Sequence, residues 1–279
     1  MEKDCRYYYS CYGSDEDDYP HLFRIMEKIA PMKAGTELAI FTEKSARPSH
    51  IRNLLEMKDR LMKYPVIFHG PFAELEATSE PGSSEAEYMK ESYRRSFDIC
   101  REFHAPSIVM HTNQRTYADG EKDHLQRNAI LMIRALGETA LRKNVELTVE
   151  NVGFRYNHSM LFSEDEFIDL FNEIPENVQC LIDIGHAFLN GWDMEKVIGK
   201  LSGRIRSYHI HNNDGIRDIH RPLFEKNMIY SEREMTDLLK LMKRLTPEAR
   251  WTLEYAPGPH ITPELVCNDF SKIMKIREE

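Results

Sequence analysis

Leu147-Thr148-Val149-Glu150-Asn151 is a short run of strand-forming residues that stops on a carboxylate. Working outward, the same arrangement recurs on both sides. Upstream, Val66-Ile67-Phe68 stops on His69 and Ile108-Val109-Met110 on His111; downstream, Leu181-Ile182 stops on Asp183, Ile205 to Tyr208 on His209, and Thr252-Leu253 on Glu254. Buried parallel strands read as continuous apolar runs. Ligand-type residues repeatedly placed at the last strand position therefore collect on one rim of a parallel sheet or barrel, where a (β/α)8 barrel keeps its active site.

The spaces between these runs read as helices. Candidate strands fall near 6–10, 36–41, 66–69, 107–111, 146–150, 178–183, 205–211 and 251–254. The segment 122–143 carries Leu125, Ala129, Met132, Leu136 and Ala140 at spacings of three and four, one apolar stripe of an amphipathic helix. Two helices open on a capping box, Ser163-Glu164-Asp165-Glu166 and Ser231-Glu232-Arg233-Glu234, and Thr262-Pro263 pairs an N-cap with proline at the first helical position. Strand and helix alternate without a long low-complexity linker, which predicts a single (β/α)8 TIM barrel over 1–279 rather than an open doubly wound sheet. No Gly-x-Gly-x-x-Gly follows the first strand, which weakens a dinucleotide-binding reading.

Composition narrows the class. At 279 residues with 41% hydrophobic and 30% charged residues, the chain has the balance of a soluble globular protein. No apolar stretch is long enough to span a bilayer. Met1-Glu2-Lys3-Asp4 lacks the basic and apolar regions of a signal peptide, so a cytoplasmic enzyme with no membrane partner is expected. Five widely spaced cysteines without a CxxC argue for reduced thiols. A net charge of −9 argues against general attraction to a polyanion, though not against a local basic groove.

Ligand density rises in the second half of the chain. Asp183-Ile184-Gly185-His186 pairs a carboxylate with an imidazole, and His209-Ile210-His211 and Asp218-Ile219-His220 add four more candidates. Carboxylates and neutral imidazoles converging on one point are what a metal site requires. His104, His124, His158 and His260 are read as ordinary packing histidines. The acidic stretch Ser14 to Asp18 and the loop Glu80-Pro81-Gly82-Ser83-Ser84 would lie at the same rim, and both are read as helix-entry segments. Arg115, Arg155, Arg217 and Arg221 lie in the rim loops and could clamp an anionic group, and Phe72, Phe154, Trp192 and Phe224 could stack on a sugar or simply pack.

Together, Phe68-His69-Gly70-Pro71, Met110-His111, Glu150-Asn151, Asp183-Ile184-Gly185-His186-Ala187, His209-Ile210-His211, Asp218-Ile219-His220-Arg221-Pro222-Leu223 and Leu253-Glu254 resemble the xylose isomerase-like barrel superfamily. That superfamily includes sugar and sugar-phosphate isomerases, ketose 3-epimerases, inosose dehydratase-type lyases and endonuclease IV repair enzymes. The similarity covers nearly the whole chain in order.

The epimerase branch implies one divalent ion on Glu150, Asp183, His209 and Glu254. Manganese, magnesium or cobalt would suit so oxygen-rich a set, with zinc competing on affinity. Glu150 and Glu254 would then remove and return the proton next to a polarised ketose carbonyl, with His186 orienting a hydroxyl. His69, His111, Arg155, His211, Arg217, Arg221 and Trp192 would contact a small carbohydrate. The endonuclease IV branch implies three zinc ions instead. They would sit on His69, His111 and Glu150, on Glu150, Asp183, His209 and Glu254, and on His186, Asp218 and His220, with abasic DNA as the partner. Val152-Gly153-Phe154-Arg155-Tyr156, where the repair enzymes carry a small Gly-rich stretch, favours the isomerase or epimerase. Leu223-Phe224-Glu225-Lys226-Asn227 stands where both branches carry a glycine-bearing turn, and so departs from the sugar epimerases too. A lyase on the same metal site is a third reading. No organic cofactor is expected, and the resemblance suggests a homo-oligomer.

Overall fold

A computed structural model describes residues 5–11, 18–45, 47–118 and 120–278. Eight parallel strands close into a barrel in chain order: β1 Tyr7–Cys11, β2 Gly35–Ala39, β3 Val66–His69, β4 Ser107–His111, β5 Glu146–Glu150, β6 Val178–Asp183, β7 Ile205–Ile210 and β8 Arg250–Glu254. β8 returns to β1 with Glu254 beside Ser10. The four middle strands have the bounds expected from sequence. The outer ones shift by one or two residues, because a strand ends where its neighbour's ladder ends rather than where its apolar run ends.

Period-two alternation sorts each strand into an outward and an inward set. The outward set, including Phe68, Ile108, Met110, Leu147, Val149, Ile182, Tyr208, Trp251 and Leu253, belongs to one continuous buried core beneath the helices. Burying each such side chain fully stabilises the fold by roughly 1.5–3 kcal/mol. The inward set is different in kind. It reads Glu37 on β2, His69 on β3, His111 on β4, Glu150 on β5, Asp183 on β6, His209 on β7 and Glu254 on β8.

The helices are α1 Tyr19–Ile29, α2 His50–Glu56, α3 Lys58–Leu61, α4 Ser84–Glu102, α5 Lys122–Lys143, α6 Glu164–Glu173, α7 Ile184–Asn190, α8 Met194–Leu201, α9 Glu232–Leu245 and α10 Pro263–Glu278. In α5 the stripe Ala129, Met132, Leu136 and Ala140 is buried, while Leu131 and Leu141 face outward. Both capping boxes form, at Ser163 with Glu166 and at Ser231 with Glu234. Thr262 caps α10 by accepting from the Leu265 N–H at 3.2 Å. The loop at Glu80 to Ser84 ends with Ser83 capping α4 at 3.1 Å from the Ala86 N–H, and Glu80 pairs with His124. Of the acidic stretch, only Asp18 lies within the described residues, and its carbonyl accepts from His21 and Leu22 at 3.0 Å. Among the described residues, no helix is long and apolar enough to cross a membrane. Cys5, Cys100, Cys180 and Cys267 are free thiols.

Candidate metal centre

The ladder register sets the ligands side by side. His111 pairs with Glu150 across β4 and β5, and Asp183 pairs with His209 across β6 and β7. Asn151 then staples β5 to β6. Its side-chain amide donates to the Asp183 carbonyl at 3.0 Å and its oxygen accepts the Asp183 N–H at 2.7 Å. Asp183 also caps α7, accepting from the His186 N–H at 2.8 Å, and this brings His186 back over the rim.

Three ligand groups result: Glu150, Asp183, His209 and Glu254; His69, His111 and Glu150; and His186, His211, Asp218 and His220, each with its donor atoms within 4.8 Å of one another. In the first, His209 Nδ1 lies 3.0 Å from Glu254 Oε2 and 3.4 Å from Glu150 Oε1. Glu150 also belongs to the second, where its Oε2 lies 3.4 Å from His69 Nε2 and 3.2 Å from His111 Nε2. In the third, Asp218 Oδ2 lies 3.1 Å from His186 Nε2 and 2.9 Å from His220 Nε2.

The outer ring nitrogens fix how these imidazoles present themselves. His69 Nδ1 donates to the Gly70 carbonyl at 2.9 Å, His186 Nδ1 to the Asn151 carbonyl at 2.8 Å and His220 Nδ1 to the Glu254 carbonyl at 3.2 Å. Each ring thereby aims its Nε2 at a carboxylate: His186 and His220 donate to Asp218 from that nitrogen in the metal-free protein, and the same nitrogen would ligate a cation once it lost its proton. His111 Nδ1 meets the Gln114 side-chain amide.

Charge balance makes the same point. Among the described ion pairs, Glu37, Glu150, Asp183, Asp218 and Glu254 face only imidazoles, with no lysine or arginine. Glu150 Oε2, both oxygens of Glu254, His209 Nδ1 and Asp218 Oδ1 are buried without a hydrogen-bond partner. Such burial is costly unless protons or a cation compensate it. The residues present therefore fit a hard divalent cation.

Without one, four of the imidazoles hold protons more tightly than a free imidazole does. Burial opposes protonation, yet the surrounding carboxylates hold His69 above its ordinary range, His186 and His209 well above it, and His220 at about 9. At His111 burial wins and lowers the value. Burial alone would raise Glu150 and Glu254; the neighbouring imidazoles hold Glu150 well below its usual range and Glu254 at about 2.

Aromatic rings wall the centre. Phe72 stacks on His111 with centroids 5.2 Å apart, and Phe154 stands edge-on to His186 at 5.4 Å while stacking on Tyr156. The other expected contact residues lie elsewhere. Trp192, just after α7, packs 5.5 Å from Phe167 in the core. Phe224 carries the Lys272 ammonium over its ring at 4.4 Å. Arg217 is forked on Asp214, Arg221 is held by Glu225 and meets His260, and exposed Arg155 has its backbone N–H fixed by Asn190. His211 is completely buried behind Asp183, at 3.0 Å from both its oxygens, and stacks 3.8 Å from His220. It is thus placed to support ligands rather than to reach an open cavity. Glu37, which the rim pattern does not flag, lies 2.9 Å from His209 Nε2.

The profile of the xylose isomerase-like TIM barrels matches residues 32–265. This chain belongs to that family. No curated protein sequence matches this xylose isomerase-like barrel. Among solved structures, a D-tagatose 3-epimerase-like protein superposes with a TM-score of 0.74 at 18% identity, covering 98% of each chain. A Thermus thermophilus protein, TTHB071, soaked with zinc chloride, gives 0.70 at 14% identity over 99% of this chain and 98% of its own. IolI with a bound zinc atom gives 0.70 at 13% identity over 98% of each. At these identities the likeness shows the fold.

Proposed function

We propose that this barrel is a divalent-metal-dependent isomerase or epimerase of a small sugar, sugar phosphate or cyclitol. One observation carries the reading: Glu150 and Glu254, from strands on different sides of the barrel, flank the same His209 nitrogen and share one ligand group with Asp183. Manganese, magnesium, cobalt or zinc bound there would polarise a ketose carbonyl and acidify the neighbouring C–H. Glu150 and Glu254 then remove that proton and return it, general acid–base work that contributes about 10²–10⁴ in rate. His186 Nε2, with Nδ1 tied to a backbone carbonyl, orients a substrate hydroxyl, and Phe72 and Phe154 exclude water from the faces of the sugar. The D-tagatose 3-epimerase-like structural neighbour supports this substrate class.

A second reading, a zinc-dependent phosphodiester hydrolase acting on abasic DNA, is favoured by the third group at His186, His211, Asp218 and His220 and by Glu150 belonging to two groups. The Phe154–Tyr156 stack narrows the rim where a duplex backbone would lie.

Metal content of untagged protein, followed by incubation with a ketose panel in deuterium oxide, separates the two. Close to one ion per chain with deuterium entering a sugar carbon supports the first. Three zinc ions, no deuterium incorporation and cleavage of an abasic duplex would replace it with the second.

A further inference from the structure

Glu37 is wholly buried in the middle of β2, inside the barrel and below the rim. Its ladder neighbours are Ser10 and Ile67, which supply no positive charge. The charge partner described for it is His209, whose Nε2 lies 2.9 Å from Glu37 Oε1. The contact is ionic rather than a straight hydrogen bond, since neither atom has a partner of hydrogen-bonding geometry.

A carboxylate oxygen that close to a ring nitrogen repels a lone pair, so Nε2 must carry the hydrogen. Nδ1 faces Glu254 and Glu150 at 3.0 and 3.4 Å, so it too carries a hydrogen in the metal-free protein; a cation bound between those carboxylates would displace that proton, and Glu37 would keep the one on Nε2. The other inward histidines lean on neutral groups: the carbonyls of Gly70, Asn151 and Glu254 and the Gln114 amide. His186 Nδ1 and His220 Nδ1 have carboxylate oxygens at 3.6 and 3.5 Å beyond those carbonyls, but at His209 Nε2 the carboxylate is the direct contact at 2.9 Å, and a carboxylate there raises the donor strength of the opposite nitrogen. A buried, otherwise unpaired carboxylate destabilises a fold, so packing gives no reason to keep it.

We infer that Glu37 is a positioning residue for the metal centre, fixing the His209 tautomer and strengthening Nδ1 as a ligand. The inference rests on the proposed reading of the rim as a metal site. It is tested by titrating metal-free wild type and Glu37→Gln with cobalt(II) against a competing chelator, following the cobalt absorption spectrum and, separately, the thermal midpoint of the metal-free proteins. Glu37→Gln keeps the volume and removes the charge. Affinity should fall roughly 10- to 100-fold with an altered cobalt spectrum, and Glu37→Asp should recover part of the loss. Affinity within twofold of wild type and an unchanged spectrum would overturn the inference, whatever the midpoint does. Should Glu37→Gln not fold, Glu37→Met, apolar and of similar size, carries the same expectation and the same overturning result. Wild type that binds no cobalt would instead sink the metal reading itself.

Discussion

His69 and His111 bring their Nε2 atoms to 3.0 Å of each other, and both face the same oxygen of Glu150. His69 has its Nδ1 hydrogen on the Gly70 carbonyl, so its Nε2 accepts from His111. In the sugar reading this pair binds substrate. His69→Ala and His111→Ala should each keep one ion per chain and raise KM about tenfold, the worth of one lost hydrogen bond. Elemental analysis with steady-state kinetics checks this, and an ion lost with either histidine would favour the hydrolase.

Glu150→Gln and Glu254→Gln should each lower turnover by at least about 10²-fold while the thermal midpoint of the metal-free protein stays within a few degrees. Removing a negative charge from so crowded a set should not unfold the barrel. Deuterium exchange at the sugar carbon should disappear in both, and exchange persisting in both would remove the two-glutamate mechanism.

Metal binding should release protons at neutral pH. In the metal-free protein the His186 and His209 values stand well above the ordinary range and His220 stands at about 9. His209, the imidazole ligand of the one-ion site, must therefore lose a proton to bind a cation, and in the three-ion reading His186 and His220 must as well. Affinity should rise with pH from the acid side through neutrality and beyond. Calorimetry in buffers of differing ionisation enthalpy reads the proton count, and a pH-independent affinity between 6 and 9 would contradict this charge state.

Gly185→Ala should damage the centre without replacing any candidate ligand. A Cβ there would fall 2.0 Å from His211 Cε1, and His211 is itself completely buried and stacked on His220 at 3.8 Å, which leaves it little room to shift. Overpacking of this kind costs about 1–3 kcal/mol. It should also weaken metal binding through the His211 contact to Asp183, measurable by denaturant titration and cobalt affinity together.

Asp269 gives a stability prediction away from the rim. Burial raises its carboxyl to about 6, against the hydrogen bond from the Tyr255 hydroxyl at 2.8 Å. The folded value exceeds the unfolded one, so ionisation above pH 6 costs stability that is regained as pH falls toward 4. Asp269→Asn, which still accepts from Tyr255, should stabilise the protein by on the order of 2 kcal/mol at pH 7.5 and by little at pH 4. Thermal unfolding at both pH values checks the sign.

Much of this was legible in the chain. Glu150, Asp183, His209 and Glu254 stand at the ends of apolar runs, and parallel strands buried on both faces have to look like such runs, so their place on one rim followed from sequence. The α5 stripe and both capping boxes were legible for the same reason, since helical periodicity and end capping act within a few residues. Glu37 was visible only as an odd carboxylate inside Thr36-Glu37-Leu38-Ala39, and nothing local says what it faces. Trp192 could from sequence stack on a sugar or pack, and it packs against Phe167. Arg217 and Arg221 could from sequence either clamp an anion or pair with surface neighbours, and Asp214 and Glu225 hold them in the second way.

The sequence by itself determined the alternation of strands and helices and which ligand types stand at the strand ends, because these depend on spacings along one segment. The tertiary structure decided which side chains meet across the barrel: His209 between Glu37 and Glu254, His211 behind Asp183, Glu150 between two groups of histidines. Those meetings depend on closure, tilt and stagger, which relate residues far apart in the chain through the geometry of the whole ring.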